Sequence, residues 1–208
     1  YNLLSYALAE HERVMEGVPE ILAPLLKPHI AELTCVINPG LVTLTWTSMN
    51  IQAYLQRVHT EMVRFNELVD KLKDITANRL ERNQKIITKL PLLEMPDANN
   101  SEEELLPLDK FVAMQQKFSG DQTAILAAKN VEVESALKDL VREITDYPLN
   151  YVQTSVDLAD IANLSEHFSR TTYRAVLNCT RTSLETLKGR VAARSLANFL
   201  FIDAPIFE

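Results

Sequence analysis

Between Asn50 and Leu93, apolar residues recur in two rows seven residues apart. Few chains satisfy such a pattern except as a long helix packed lengthwise on other helices. One row runs Ile51, Val58, Phe65, Leu72, Arg79, Ile86 and Leu93; the other runs Leu55, Met62, Val69, Thr76, Asn83 and Leu90. At about 1.5 Å per residue a helix of this length extends on the order of 60 Å. That far exceeds the roughly 10 to 14 residues of an ordinary globular helix, so the pattern predicts an elongated molecule. At Thr76, Arg79 and Asn83 polar residues stand where apolar ones would continue the rows, with Ile75, Leu80 and Ile87 beside them. We read this as the stripe drifting around the helix, or the helix changing partners. A buried polar residue that fixes register is the sharper alternative.

Composition narrows the fold class. The 208 residues are 47% hydrophobic and 24% charged, enough to bury a core in water. With only 4 glycines and little Val/Ile/Thr alternation there is no significant sheet to build. The expected fold is all-α, an elongated bundle of long antiparallel helices. The net charge of −7 argues against nucleic acid as a partner, because phosphate contacts need a surplus of Lys and Arg. No apolar run approaches the roughly 18 residues of a membrane span, so no membrane partner is expected. Cys35 and Cys179 lie too far apart for a metal or redox spacing and read as two buried thiols in a reducing compartment. Tyr1 opens inside an amphipathic pattern and Glu208 closes an apolar one, so both ends are expected to continue into a longer chain.

Along the chain, residues 1–38 read as short helices interrupted by proline. Gly17 suits a helix C-cap and Pro19 the first turn of the next helix, while Pro24 and Pro28 predict two short helices, or one kinked helix, broken near Lys27. Asn38, Pro39 and Gly40 are expected to end that helix, and residues 39–49 to form a turn and extended connector, because Leu41 to Trp46 alternates with period two. Leu41, Leu44 and Trp46 are expected to pin this turn to the base of the long helix over 50–93. Residues 94–107 form an acidic linker holding Glu94, Asp97, Glu102, Glu103 and Glu104. A second long helix is expected over 108–146, with Ser119, Gly120 and Asp121 as the candidate place for a break. Residues 149–208 read as a helical region, with a long helix from Asn163 to Leu196, ending in a non-helical apolar segment after Phe199. Arg170, Arg174 and Arg181 are spaced to share one face of it; they read as solvated charge, with acidic faces of neighbouring helices or an acidic partner as the alternatives.

Motifs for chemistry are missing from the pattern. Gly17, Gly40, Gly120 and Gly189 are too scattered for a phosphate-cradling loop. His11, His29, His59 and His167 have no zinc-ligand spacing. His29 and Glu32 can approach on one helical face, but such a pair is the ordinary yield of a helical protein. No base is placed to activate the Ser and Thr residues between Ser169 and Ser183. We therefore expect no catalytic, cofactor-binding or metal-binding residue in this segment.

The run from Val36 to Ile51, with Tyr54, Leu55 and Val58 after it, strongly resembles the N-terminal tail of dynein heavy chains. It is most similar to axonemal outer-arm heavy chains, whose tails carry a Pro-Gly-Leu and a Leu-Thr-Trp before a long helix. Pro39, Gly40, Leu41, Leu44 and Trp46 match that motif position by position. The stretches Pro19 to Leu26, Lys129 to Glu134 and Phe199 to Glu208 resemble other parts of the same region, so the likeness covers nearly the whole chain. The resemblance implies a stem of helical bundles in the cytoskeleton of a ciliary or flagellar axoneme. Its implied partners are dynein intermediate and light chains, other dynein heavy chains, and docking proteins on the doublet microtubule. The motor ATPase sites would lie far downstream, with no cofactor in this segment. The rival reading is a free-standing helical scaffold or adaptor, spectrin-like or tethering, without motor activity.

Overall fold

The computed structural model describes residues 9, 13–42, 50–94, 107–153 and 155–201. Five α-helices carry the fold, and no strand occurs among the described residues. They are α1 (Ala23–Val42), α2 (Ile51–Asp74), α3 (Arg82–Lys89), α4 (Leu108–Thr145) and α5 (Leu158–Phe201). A 3₁₀ turn, Glu20–Leu22, leads into α1, and a π-helical segment, Ile75–Glu81, joins α2 to α3 without a break. The expected all-α class is what the chain adopts. By contact the chain divides into two units, one ending at Arg82 and resuming over Glu132–Arg170, the other holding Asn83–Val131 and the residues from Thr171 onward.

In the first unit four helical stretches share one core. Leu22, Leu25 and Leu26 meet Leu68, Leu72, Ile75 and Leu80, with Val133, Ala136, Leu140 and Ile144 of α4 and Leu164 and Phe168 of α5. A second cluster continues along α1 and α2 through Leu33, Val36, Ile37, Val58, Phe65 and Val69. The turn before α1 is tied down as well. Gly17 takes the left-handed φ of 79° that ends the helical turn at 13–15, as its sequence placement predicts. The Lys73 ammonium then donates to the carbonyls of Val14 (2.7 Å) and Glu16 (2.6 Å), which have no helical partner there.

Helix α1 differs from the sequence expectation. It runs unbroken through Pro28 and Pro39 to Val42, so neither the break near Lys27 nor the stop at Asn38 to Gly40 occurs. Pro24 sits in the first turn, where its missing N–H is no loss. Pro28 lies inside the helix and costs about 3 kcal/mol. Against it stand Leu22, Leu25, Leu26, Leu33, Val36 and Ile37, each 4% exposed or less. At about 1.5–3 kcal/mol per buried side chain they outweigh one interior proline. At Pro39 the compensation is a side chain. The Tyr54 hydroxyl donates to the Ile37 carbonyl (2.7 Å) and accepts the Gly40 N–H (3.0 Å). Of the expected connector over 39–49, residues 39–42 are helical and 43–49 lie outside the described residues.

The polar interruption has a structural cause. Leu72 is followed on the buried side by Leu80 and Ile87, not by Arg79 and Ile86. The π segment begins after Leu72, contains Leu80 and ends before Ile87. Its wider i→i+5 turn inserts one residue into the helical register, and the inward row moves on by one. The stripe does shift, but in one step rather than by gradual drift. Thr76 and Asn83 are buried, so the sharper reading also has substance; Thr76 Oγ1 has no hydrogen-bond partner among the described residues. Arg79 is displaced from the seam and donates to Asp139 of α4 at 2.6 Å. That hydrogen bond holds the Asp139 carboxyl below its usual range, and Arg142 reinforces it from one turn further along, at 2.9 Å.

The second unit contains α3 and parts of α4 and α5. Gln84 donates to Thr172 (3.3 Å), the Cys179 thiol donates to the Leu90 carbonyl (3.1 Å), and the Leu92 N–H donates to Ser183 (3.1 Å). Burial raises the Cys179 thiol pKa. Cys35, expected to be buried, is exposed. Helix α4 passes through Gly120 without breaking, since about 1 kcal/mol is too little to interrupt a helix of 38 residues. Helix α5 starts at Leu158, continuous with the long helix expected from Asn163, and remains helical to Phe201, so the non-helical ending does not begin at Phe199; residues 202–208 lie outside the described residues. The acidic linker falls largely outside them too, at 95–106.

The α1 terminus supplies a test. A Cβ on Gly40 would collide with the Tyr54 hydroxyl and ring. Gly40→Ala is expected to lose about 1–3 kcal/mol in denaturant unfolding, because the phenol must leave both hydrogen bonds. In a Tyr54→Ala background the same change should be neutral or gain up to about 1 kcal/mol from helix propensity. Equal losses in both backgrounds would disprove the coupling.

Candidate functional site

The densest polar constellation lies inside the first unit. His29 and Glu32 sit within the apolar stripe of α1, each 1% exposed. A carboxylate taken out of water is costly unless each oxygen is satisfied. Glu32 meets this by accepting three backbone N–H groups from the loop between α4 and α5. Asn150 (2.5 Å) and Tyr151 (2.9 Å) donate to Oε1, while Tyr151 and Val152 (2.9 Å each) donate to Oε2. His29 reaches the C-terminal end of α4. Its Nε2 donates to the Ile144 carbonyl at 3.0 Å, and its Nδ1 lies 3.2 Å from the Leu25 carbonyl one turn back.

Tyr147 of the same loop closes the arrangement. Its ring meets the imidazole edge-on, with centroids 5.0 Å apart at 69°. The Arg64 guanidinium lies 5.5 Å over the Tyr147 ring and is itself held by both oxygens of Glu61, at 2.9 and 3.1 Å. Such a cation over an aromatic face contributes about 0.5–2 kcal/mol, the more so when shielded from water. Burial pushes the Tyr147 phenol pKa up, and the Glu61 charge adds to this. Burial likewise holds His29 below its ordinary value, opposed by the two carbonyls and by the Glu32 charge.

These groups position backbone; they do not expose a reacting atom. The carboxylate faces amides rather than a nucleophile, and no cluster of His, Cys, Asp or Glu suited to a metal ion occurs among the described residues. What the arrangement does is fasten α1, α2, the end of α4 and the following loop to one another. The sequence reading noted the His29–Glu32 pair and gave it no role. The usable signal was their position inside the stripe of Leu22, Leu25, Leu26, Leu33 and Val36, where a polar residue must have a buried partner.

The motif residues behave differently. Pro39, Gly40 and Leu41 lie in the last turn of α1, where Gly40 receives Tyr54. Leu44 and Trp46 lie outside the described residues. Arg170 pairs with Glu166 within its own helix at 2.6 Å, both exposed. No helix among the described residues is long and apolar enough to cross a membrane.

Fold and polar lock together define a class: a helical-bundle segment whose buried ionic groups serve packing. Comparison with known proteins is more specific. Residues 1–54 match the family model described as dynein heavy chain, N-terminal region 1. The whole chain aligns at 33% identity with the "Dynein gamma chain, flagellar outer arm" of Chlamydomonas reinhardtii, covering 4% of that protein. It is 27% identical over 146 residues (70% of this chain) to dynein axonemal heavy chain 5 of Mus musculus, covering 3% of it. To dynein axonemal heavy chain 8 of Homo sapiens it is 24% identical over 140 residues, 67% of this chain and 3% of that protein. The chain belongs to the dynein heavy chain family, in its N-terminal tail region, among the axonemal type.

Two tests follow from the lock. Glu32→Gln replaces one acceptor oxygen with an NH₂ group facing the loop amides. It is expected to cost about 2–3 kcal/mol and to speed hydrogen exchange at Asn150, Tyr151 and Val152; unchanged exchange would remove the anchoring role. For His29 the folded pKa is the lower one, so below the unfolded value of about 6.5 the unfolded chain takes up the proton first. Stability should be fully present above that value and fall as pH drops through the window beneath it, levelling off below the folded pKa. In His29→Gln this slope should vanish from denaturation midpoints measured across the window.

Proposed function

We propose that the chain is a structural stem segment of an axonemal outer-arm dynein heavy chain. In this reading it links a microtubule motor to its intermediate and light chains and to a docking site on the doublet microtubule. Its place is the axoneme of a cilium or flagellum. The observation that carries the reading is alignment of all 208 residues with the flagellar outer-arm gamma chain at 33% identity. The physical character of the fold agrees with it. A close-packed helical interior resists compression and so transmits force. The buried lock at Glu32, His29 and Tyr147 joins α1 to the end of α4 and to the loop after it. The segment itself carries no cofactor and performs no catalysis; the ATPase sites of the parent lie outside it.

Antiserum raised against residues 108–145 should label axonemes, and the labelled chain should leave them in high-salt extracts with outer-arm ATPase activity on sucrose gradients. A chain that sediments apart from any ATPase would instead be a free-standing scaffold of the spectrin-like kind, and the motor reading would fall.

A further inference from the structure

Helix α5 is apolar on two sides, and among the described residues only one is covered. Phe168, Thr172, Ala175 and Cys179 are buried at spacings of four, three and four. On the other side Tyr173, Leu177, Thr180, Leu184 and Leu187 repeat at four, three, four and three. There Tyr173 is 64% exposed, Leu177 49%, Leu184 57% and Leu187 39%. A narrow row at alternating three and four is the seam that accepts another helix, side chain into gap. A membrane-binding helix needs a wider apolar face than this and a surplus of positive charge, whereas the chain carries −7.

The two edges of the seam are unequal. One edge is closed by this chain's own residues, where the Leu90 carbonyl meets Cys179 and the Leu92 N–H meets Ser183. Along the other run Arg174, Arg181 and Lys188, spaced by sevens and bordering the groove formed around Leu177 and Leu184. None of these three has an ion pair among the described residues, and Glu185 lies one step further round the helix. Cations repeated in register with an apolar seam select the charge of what lies against it and fix its direction.

We propose that this face of α5, from Tyr173 to Lys188, docks a helix of another polypeptide segment. That helix presents apolar residues at alternating spacings of three and four, with Asp or Glu every seventh residue along the edge facing Arg174, Arg181 and Lys188. The inference rests on the stem reading and gives it a partner surface. The exposed cations govern orientation and choice of partner, and the leucines supply the contact area.

The test is carbodiimide coupling of the intact chain in its native assembly, which joins an amine to a carboxylate only where they already touch, followed by peptide mass spectrometry. Lys188 is expected to be joined to an Asp or Glu outside residues 1–208, in a peptide with Leu, Ile, Val or Met at three- and four-residue spacings. Arg174→Glu with Arg181→Glu should leave the helical circular dichroism unchanged. It should reduce retention of the coupled polypeptide at least about tenfold at low salt. The surface is overturned if Lys188 stays uncoupled in the assembly, couples only within these 208 residues, or if phosphatidylserine vesicles bind the chain through this face. An uncoupled Lys188 in an outer-arm assembly would leave the stem reading standing. Coupling of the expected kind in an assembly without ATPase would keep the surface and overturn that reading.

Discussion

A buried carboxylate sets the terms for the first unit. Glu32 is out of water on a helix face that otherwise holds leucine, valine, isoleucine and His29. It is tolerable there only because three successive loop amides point at it. In return the carboxylate satisfies three consecutive loop amides, which fixes the loop against the helix. The same contact decides where α4 ends and how the chain turns back into α5. His29, one turn earlier, holds the last turn of α4 through the Ile144 carbonyl. The apolar core can be repacked with side chains of similar volume, but this lock has a single geometry.

The helices around that lock are continuous where local sequence says they should break. Two interior prolines in α1 and one glycine in α4 all lose to larger forces. At Pro28 the opposing force is burial of a stripe of leucines; at Pro39 a tyrosine hydroxyl bridges the Ile37 carbonyl and the Gly40 N–H on either side of the proline. Gly40 is thus required by the close approach of another side chain, not by its own backbone angles. The lesson is the ordering of magnitudes: propensity is a few kcal/mol at most, and packed area exceeds it.

The π segment shows a different kind of adjustment. A seven-residue repeat cannot keep its inward row over many turns of a straight helix. The chain answers by inserting one residue over Ile75–Glu81, which exchanges Arg79 for Leu80 and Ile86 for Ile87 on the inner side. Arg79 then becomes available to Asp139, so one register shift creates both an apolar contact and an ionic one. The buried Thr76 hydroxyl, without a hydrogen-bond partner among the described residues, is the residual cost of that arrangement.

The sequence by itself determined the helical class, the long periodic segments and the family, because apolar period and the Pro39, Gly40 and Tyr54 neighbourhood are written locally. It also placed the seam change at Thr76, Arg79 and Asn83. Only the tertiary structure decided that this change is a one-residue insertion, since the pattern alone fits gradual drift equally well. It alone decided the partners of His29 and Glu32, which come from residues 115 to 120 positions away. No local pattern encodes contacts at that separation; they exist only once the helices have closed on a common core.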